Sequence, residues 1–179
     1  MKEKAKQIFQ CKFFIFLVIV IAIVLVIRSF VGGIVVIQGE SMEPTLVNKD
    51  IVFIEKLSYC NGTPERNDIV VVTTDAMGKN VQYVKRIIGL PGETIQIKKG
   101  KVFVNGNELE EIHQFDLIED GGMAREKMSL GENEYFLLGD NRNSSKDSRN
   151  VELGIVKKDQ IEGKVFVRMY PFGKIGKIK

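Results

Sequence analysis

The sequence predicts a mainly β protein: an antiparallel, all-β domain behind one N-terminal transmembrane helix. Three observations carry this. One run, from Phe13 to Ile27, is apolar and free of charge. After Gly33 the helical signal ends, and short β-branched or alternating runs take over. Those runs are separated by Gly, Asn, Asp and Pro clusters, the punctuation of turns between strands. The expected division is a cytoplasmic tail over 1–12, an anchor over 13–31 and one extracytoplasmic β-rich domain over 32–179. A length of 179 residues suits one domain with an appendage.

The apolar run alone, at about 1.5 Å of helical rise per residue, spans about 22 Å. A bilayer core needs about 30 Å. Extension past Arg28 to Val31 closes the gap, because the arginine stem can lie along lipid while its head reaches the interface. Lys2, Lys4, Lys6 and Lys12 precede the run against Glu3. Positive charge stays on the cytoplasmic side, which places the N-terminus inside and the body outside a plasma membrane, with a single pass. A cleaved targeting peptide is the alternative, and the run's length suits it. The flank from Arg28 to Gly33 lacks a clean small-x-small site, which favours an uncleaved anchor.

The strands expected in the body are Ile34–Gln38, Ile51–Glu55, Ile69–Thr73, Val81–Gly89, Thr94–Lys98, Val102–Asn105, Tyr135–Leu138 and Gly163–Met169. Lys99-Gly100 and Asn105-Gly106-Asn107 read as tight hairpin turns. Alternation within Val81–Gly89 puts Lys85 on one face with Tyr83 and Ile87, and Arg86 on the other. Residues 108–131 are polar and without period, and are expected to form a long loop.

Composition excludes several functions. A formal net charge of +3 gives no electrostatic case for nucleic acid. No Gly-rich phosphate loop ending in Lys-Ser/Thr is present, so no nucleotide partner is expected. The two cysteines, Cys11 and Cys60, flank the apolar run, so the thiols are expected on opposite sides of a membrane and unpaired. With a single histidine, His113, no metal site of the usual His/Cys spacing exists, and no cofactor is expected.

Three segments carry chemistry. In Gly39-Glu40-Ser41-Met42-Glu43-Pro44 a serine follows a strand-like run and precedes a proline that stiffens the backbone. In Tyr83-Val84-Lys85-Arg86-Ile87-Ile88 a lysine sits inside an apolar strand. Such a lysine either points to water from an edge strand or is desolvated. Desolvation lowers its pKa and makes the neutral amine a base able to take a serine's proton. Arg86 cannot serve, since a guanidinium stays protonated. The third segment, Gly139 to Arg149, is dense in polar groups. It is either a solvated loop or a rigid support in which Asp140 or Asp147 pairs with Arg142 or Arg149. A Ser-His-Asp triad could use only His113, within the featureless 108–131 stretch, whereas a Ser-Lys pair uses two residues beside expected strands.

Taken in order behind an N-terminal anchor, these segments resemble the bacterial type I signal (leader) peptidase family, in its smaller single-anchor form. The resemblance rests on Ser-Met-x-Pro-Thr-Leu, Tyr-Val-Lys-Arg-Ile-Ile-Gly-Leu-Pro-Gly-Glu and Gly-Asp-Asn-Arg-x-x-Ser-x-Asp-Ser-Arg, with Asn67 to Val71 as a further box. It implies a membrane-bound serine endopeptidase that removes signal peptides from exported preproteins after a small-x-small site. By the resemblance, Ser41 is nucleophile and Lys85 general base. Ser145 would hydrogen-bond the lysine amine, and Asp147 and Arg149 would brace the site. Asp140, Asn141 and Arg142 would shape its wall, while Met42 and Pro44 would fix the nucleophile's backbone. The Ser41 N–H would be one oxyanion donor. Many members carry a serine two residues before the nucleophile as the second donor. Gly39 stands there in this chain, so a backbone N–H or a water must substitute and the second donor is unassigned. Ile34 to Ile37 are candidates for the specificity pockets, with core packing the better reading for at least half of them. Partners implied are exported preproteins and the lipid bilayer. Two rivals are a self-cleaving Ser-Lys repressor-type protease, which would need a DNA-binding helix pair at the N-terminus, and a catalytically inactive anchored β-domain that binds or assembles secreted proteins.

Overall fold

A computed structural model describes residues 12–25, 32–76 and 79–178. The expected tail over 1–12, apart from Lys12, and the end of the expected anchor, 26–31, lie outside the described residues.

Residues 12–25 form a helix, α1, whose apolar side chains are all exposed. At about 1.5 Å per residue it is about 21 Å long. No helix among the described residues is long and apolar enough to cross a membrane.

The body is built of two antiparallel sheets. The larger runs through β1 (Gly32–Val36), β2 (Ile51–Glu55), β11 (Ile161–Tyr170), β3 (Ile69–Ala76), β4 (Lys79–Gly89), β9 (Glu134–Leu138) and β10 (Val156–Lys157), with β12 (Gly176–Lys177) on β11. The smaller runs β7 (Asn107–Glu108), β6 (Lys101–Val104), β5 (Thr94–Lys98) and β8 (Met128–Ser129). Every strand expected from the sequence is present, β2 and β5 at the expected bounds and the others shifted or extended by a few residues. The short helix α2 (Leu57–Asn61) was not expected, since five residues are too few to show a helical period.

Three apolar clusters hold the layers together. Ile88, Ile95, Val102, Phe136 and Leu138 join the small sheet to β4 and β9. Ile37, Met42, Leu46, Val52, Ile54 and Val71 pack under the β1–β2 connection. Val70, Val72, Ile87, Tyr135 and Leu137 fill the other face of the large sheet. Residues 108–131, expected as a long loop, pack inward in part: Ile118 and Ala124 are buried, and Gly122–Arg125 forms a 3-10 turn.

Pairing leaves one opening that matters. β4 pairs with β3 from Lys79 to Arg86, but with β9 only from Arg86 onward. The stretch of β4 before Arg86 therefore has a free edge, and β1 is itself the sheet's end strand. Between them lies a groove of about 610 Å³, lined by residues 35–42 and 80–85 with Ser144 and Lys146.

Candidate active site

Lys85 takes its position from β4. Its strand partner is Val70, and the next pair along the ladder is Arg86 with Ile69. Flanked by apolar neighbours, its side chain is only 2 % exposed. The edge-strand, water-facing alternative is thereby excluded. Nζ lies 2.7 Å from Ser41 Oγ and donates to the Val84 carbonyl at 3.0 Å, with the Tyr83 ring centroid 5.8 Å away. Burial pushes the Lys85 pKa down to about 8 from 10.5, against the opposing pull of the Asp147 and Asp140 charges. Desolvation disfavours the ammonium, and the two carboxylates return only part of that.

Ser41 sits in the turn between β1 and β2, at the end of the groove. Its neighbour Met42 is 2 % exposed and plugs the second apolar cluster, anchoring the turn, whereas Pro44 lies at the surface. The Ser41 carbonyl accepts from the Asn141 N–H at 3.1 Å. The Ser41 N–H has no intramolecular partner among the described residues. Gly39 adopts φ +86°, the left-handed region glycine favours. Its N–H donates to Asn48 Oδ1 at 3.2 Å, so that amide is already engaged.

The loop from Gly139 to Arg149 supports both residues, with a pairing that differs from expectation. Asp147 does pair with Arg149, through Nε and Nη2 at 2.8 Å each, and its carboxylate also accepts from the Arg149 N–H at 3.2 Å and the Gly139 N–H at 3.1 Å. Asp140, however, pairs with Arg86 rather than with Arg142 or Arg149, at 2.8 and 2.7 Å. Arg86 projects from the face of β4 opposite Lys85, and the pair is at most 1 % exposed. Partners 54 residues apart meet only after β4 and β9 are paired, which is why sequence spacing misplaced this contact. Arg142 turns instead to Glu111, in the 108–131 segment.

A second difference concerns Ser145. Its hydroxyl is buried and has no hydrogen-bond partner among the described residues, the Lys85 amine included. It packs against Gly139 instead. A Cβ at Gly139 would stand 2.2 Å from Ser145 Oγ and 2.4 Å from the Ser41 carbonyl oxygen. Only glycine allows the loop to lie this close to the nucleophile's backbone. In the sequence Gly139 is only the first residue of a polar segment; the close approach that demands a glycine there is a tertiary contact.

Of the pocket candidates, Val35, Val36 and Ile37 line the groove and Ile34 does not. Ile37 is 3 % exposed and belongs chiefly to the core. His113 lies outside this site, edge-on to Phe115. No cluster of metal-binding side chains occurs among the described residues.

Comparison with known proteins agrees with the geometry. The family profile described as "Signal peptidase, peptidase S26" matches residues 10–170. Signal peptidase I S of Bacillus subtilis (strain 168) is 38% identical over 173 residues, covering 90% of this chain and 89% of that one. Signal peptidase I P of Bacillus subtilis subsp. natto is 36% identical over 174 residues, 91% and 90% of the two chains. Signal peptidase IB of Staphylococcus aureus is 36% identical over 176 residues, 88% and 90% of the two. A buried lysine against a serine at the end of an open-edged groove, in a β-rich chain with these relatives, places the chain in the signal peptidase family, peptidase S26.

Proposed function

We propose that signal-peptide removal, the activity of this family of serine endopeptidases, is carried in this chain by Ser41 and Lys85. The observation that carries the proposal is the 2.7 Å approach of a desolvated Lys85 Nζ to Ser41 Oγ at the groove's end. The neutral amine takes the Ser41 proton as Oγ attacks the scissile carbonyl. The Ser41 N–H donates to the oxyanion that forms, a contact of the kind worth about 2.7–4 kcal/mol to the barrier. The Lys85 ammonium then protonates the leaving amine, and the signal peptide stays as an ester on Ser41. A water that gives its proton to Lys85 attacks this ester, releasing the carboxylate and restoring the serine.

The cleavable segment enters as an extended strand between β1 and the free edge of β4. Alternate side chains then face the groove, lined near Ser41 by Val35 and Val36. A shallow apolar surface of this kind suits small residues at the first and third positions before the cut. Asp147 and Arg149, the Asp140–Arg86 pair, and Ser145 packed on Gly139 brace the loop that backs Ser41. Helix α1, with its exposed apolar surface, belongs to a single-pass anchor over 13–31 that keeps the domain outside the plasma membrane beside its tethered substrates.

Incubation of a model preprotein with the full-length protein in detergent, followed by sequencing of the product's N-terminus, tests this. A cut after a small-x-small site that Ser41→Ala abolishes is expected. Cleavage that survives Ser41→Ala would remove Ser41 from its role.

A further inference from the structure

Residues 108–131 lie outside the groove, yet they hold the loop that backs Ser41. Arg142 is the point of attachment. Its guanidinium is 1 % exposed and makes a two-pronged contact with Glu111, one arm at 2.6 Å. The Phe115 ring covers its face, with Cζ 4.1 Å from the centroid. The third nitrogen, Nε, donates to the Gly139 carbonyl at 3.1 Å. Gly139 is the residue wedged between the Ser41 carbonyl and Ser145. A continuous path of contacts thus runs from Glu111 through Arg142 and Gly139 to the nucleophile's backbone. Asn143 ties the same two segments together, donating to the Leu117 carbonyl and accepting from the Glu119 N–H, each at 3.0 Å.

The chemistry of this path is asymmetric. Arg142 cannot shed its charge, and a buried guanidinium whose carboxylate is removed must move toward water or leave a charge uncompensated. The movement toward water releases the Gly139 carbonyl. The groove walls on β1 and β4 have no part in this contact.

We infer that Glu111, with Phe115 over the same guanidinium, is a positioning residue that fixes the distance between Ser41 and Lys85 through Arg142 and Gly139. The inference rests on the peptidase reading given above. Removing the Glu111 charge should therefore slow the chemical step while leaving peptide binding largely intact.

The test is steady-state cleavage of a peptide spanning a small-x-small site by the full-length protein in detergent. Wild type is compared with Glu111→Gln, Arg142→Met and the double variant, and folding is followed by thermal unfolding. A small misplacement of reacting groups costs up to about 100-fold, so Glu111→Gln is expected to lower kcat by roughly 10- to 100-fold. KM should change by no more than about threefold, since the strand-binding edges are untouched. Glu111→Asp, which keeps the charge, should recover part of kcat. Because both residues act through one contact, the double variant should be no slower than Arg142→Met alone. Should Glu111→Gln fail to fold, the double variant, which holds no buried lone charge, still decides by comparison with Arg142→Met. A lowered Tm with unchanged kcat, a loss confined to KM, or additive losses in the double variant would each overturn the inference. A wild-type protein that cuts nothing would instead bring down the peptidase reading, and this inference with it.

Discussion

At the residue scale everything turns on one amine. A lysine buried at 2 % exposure is held near a pKa of about 8, and its proton equilibrium couples to both stability and rate. The unfolded chain binds a proton at this position up to about 10.4, whereas the folded chain releases it above about 8. Between those limits the unfolded state carries more protons, so stability rises with pH across that window. Below it the penalty is full, roughly 3 kcal/mol. Lys85→Met removes the penalty. The expected result in urea unfolding is a variant more stable than wild type at pH 7, by up to about this amount, with the advantage shrinking as pH passes 8 toward 10.4. A variant less stable than wild type at pH 7 would mean that Lys85 is held by attraction rather than strained by burial. Glycine 139 offers a steric counterpart. A methyl group there meets the Ser41 carbonyl, which cannot retreat as a flexible side chain would. Gly139→Ala is expected to lose most activity, and an active Gly139→Ala enzyme would show that the loop can stand off from Ser41.

At the scale of elements, the Gly139–Arg149 loop is a scaffold of paired charges. Asp147 is fully buried with Arg149, so Asp147→Asn leaves a guanidinium without its partner. A loss of about 3–5 kcal/mol is expected in denaturant titration. Asp147 also favours the charged form of Lys85, so its neutralisation should shift the acidic limb of the pH–rate profile to lower pH in whatever fraction remains folded. A limb that stays put, or moves up, would show that the Asp147 charge does not reach the amine. The sequence made some of this legible. Alternation along β4 placed Lys85 and Arg86 on opposite faces, because period-2 geometry is local. It also located the serine turn and the polar loop. It did not disclose which carboxylate meets which arginine. Asp140 finds Arg86, and Arg142 finds Glu111, across separations that only the tertiary fold bridges. The 108–131 stretch looked featureless because its order comes from Arg142, Asn143 and Arg149 in another segment rather than from any period of its own.

At the scale of the whole molecule, the β part of the fold class was legible in turn punctuation and strand patterning, and the antiparallel sheets bear that part out. The proposed anchor rests on the apolar run and its basic flank. If α1 belongs to such an anchor, enzyme and tethered preprotein share a surface, and their encounter depends on density within it. With enzyme and preprotein in the same liposomes, the cleavage rate should follow protein per lipid and ignore dilution of the suspension. A soluble peptide should follow bulk concentration instead. Equal sensitivity of both substrates to dilution would remove the anchor's kinetic role.

The most direct measurement is the pH dependence of kcat/KM for peptide cleavage by wild type, Lys85→Ala and Lys85→Arg. The neutral amine is the reactive form, so the wild-type rate should rise with pH and level off above about 8, where Lys85 has lost its proton. Both variants should be folded and inactive, since alanine carries no base and arginine keeps its proton. A wild-type profile flat from pH 5 to 9, or a Lys85→Arg enzyme that still cuts, would contradict the assignment of Lys85 as the base that activates Ser41.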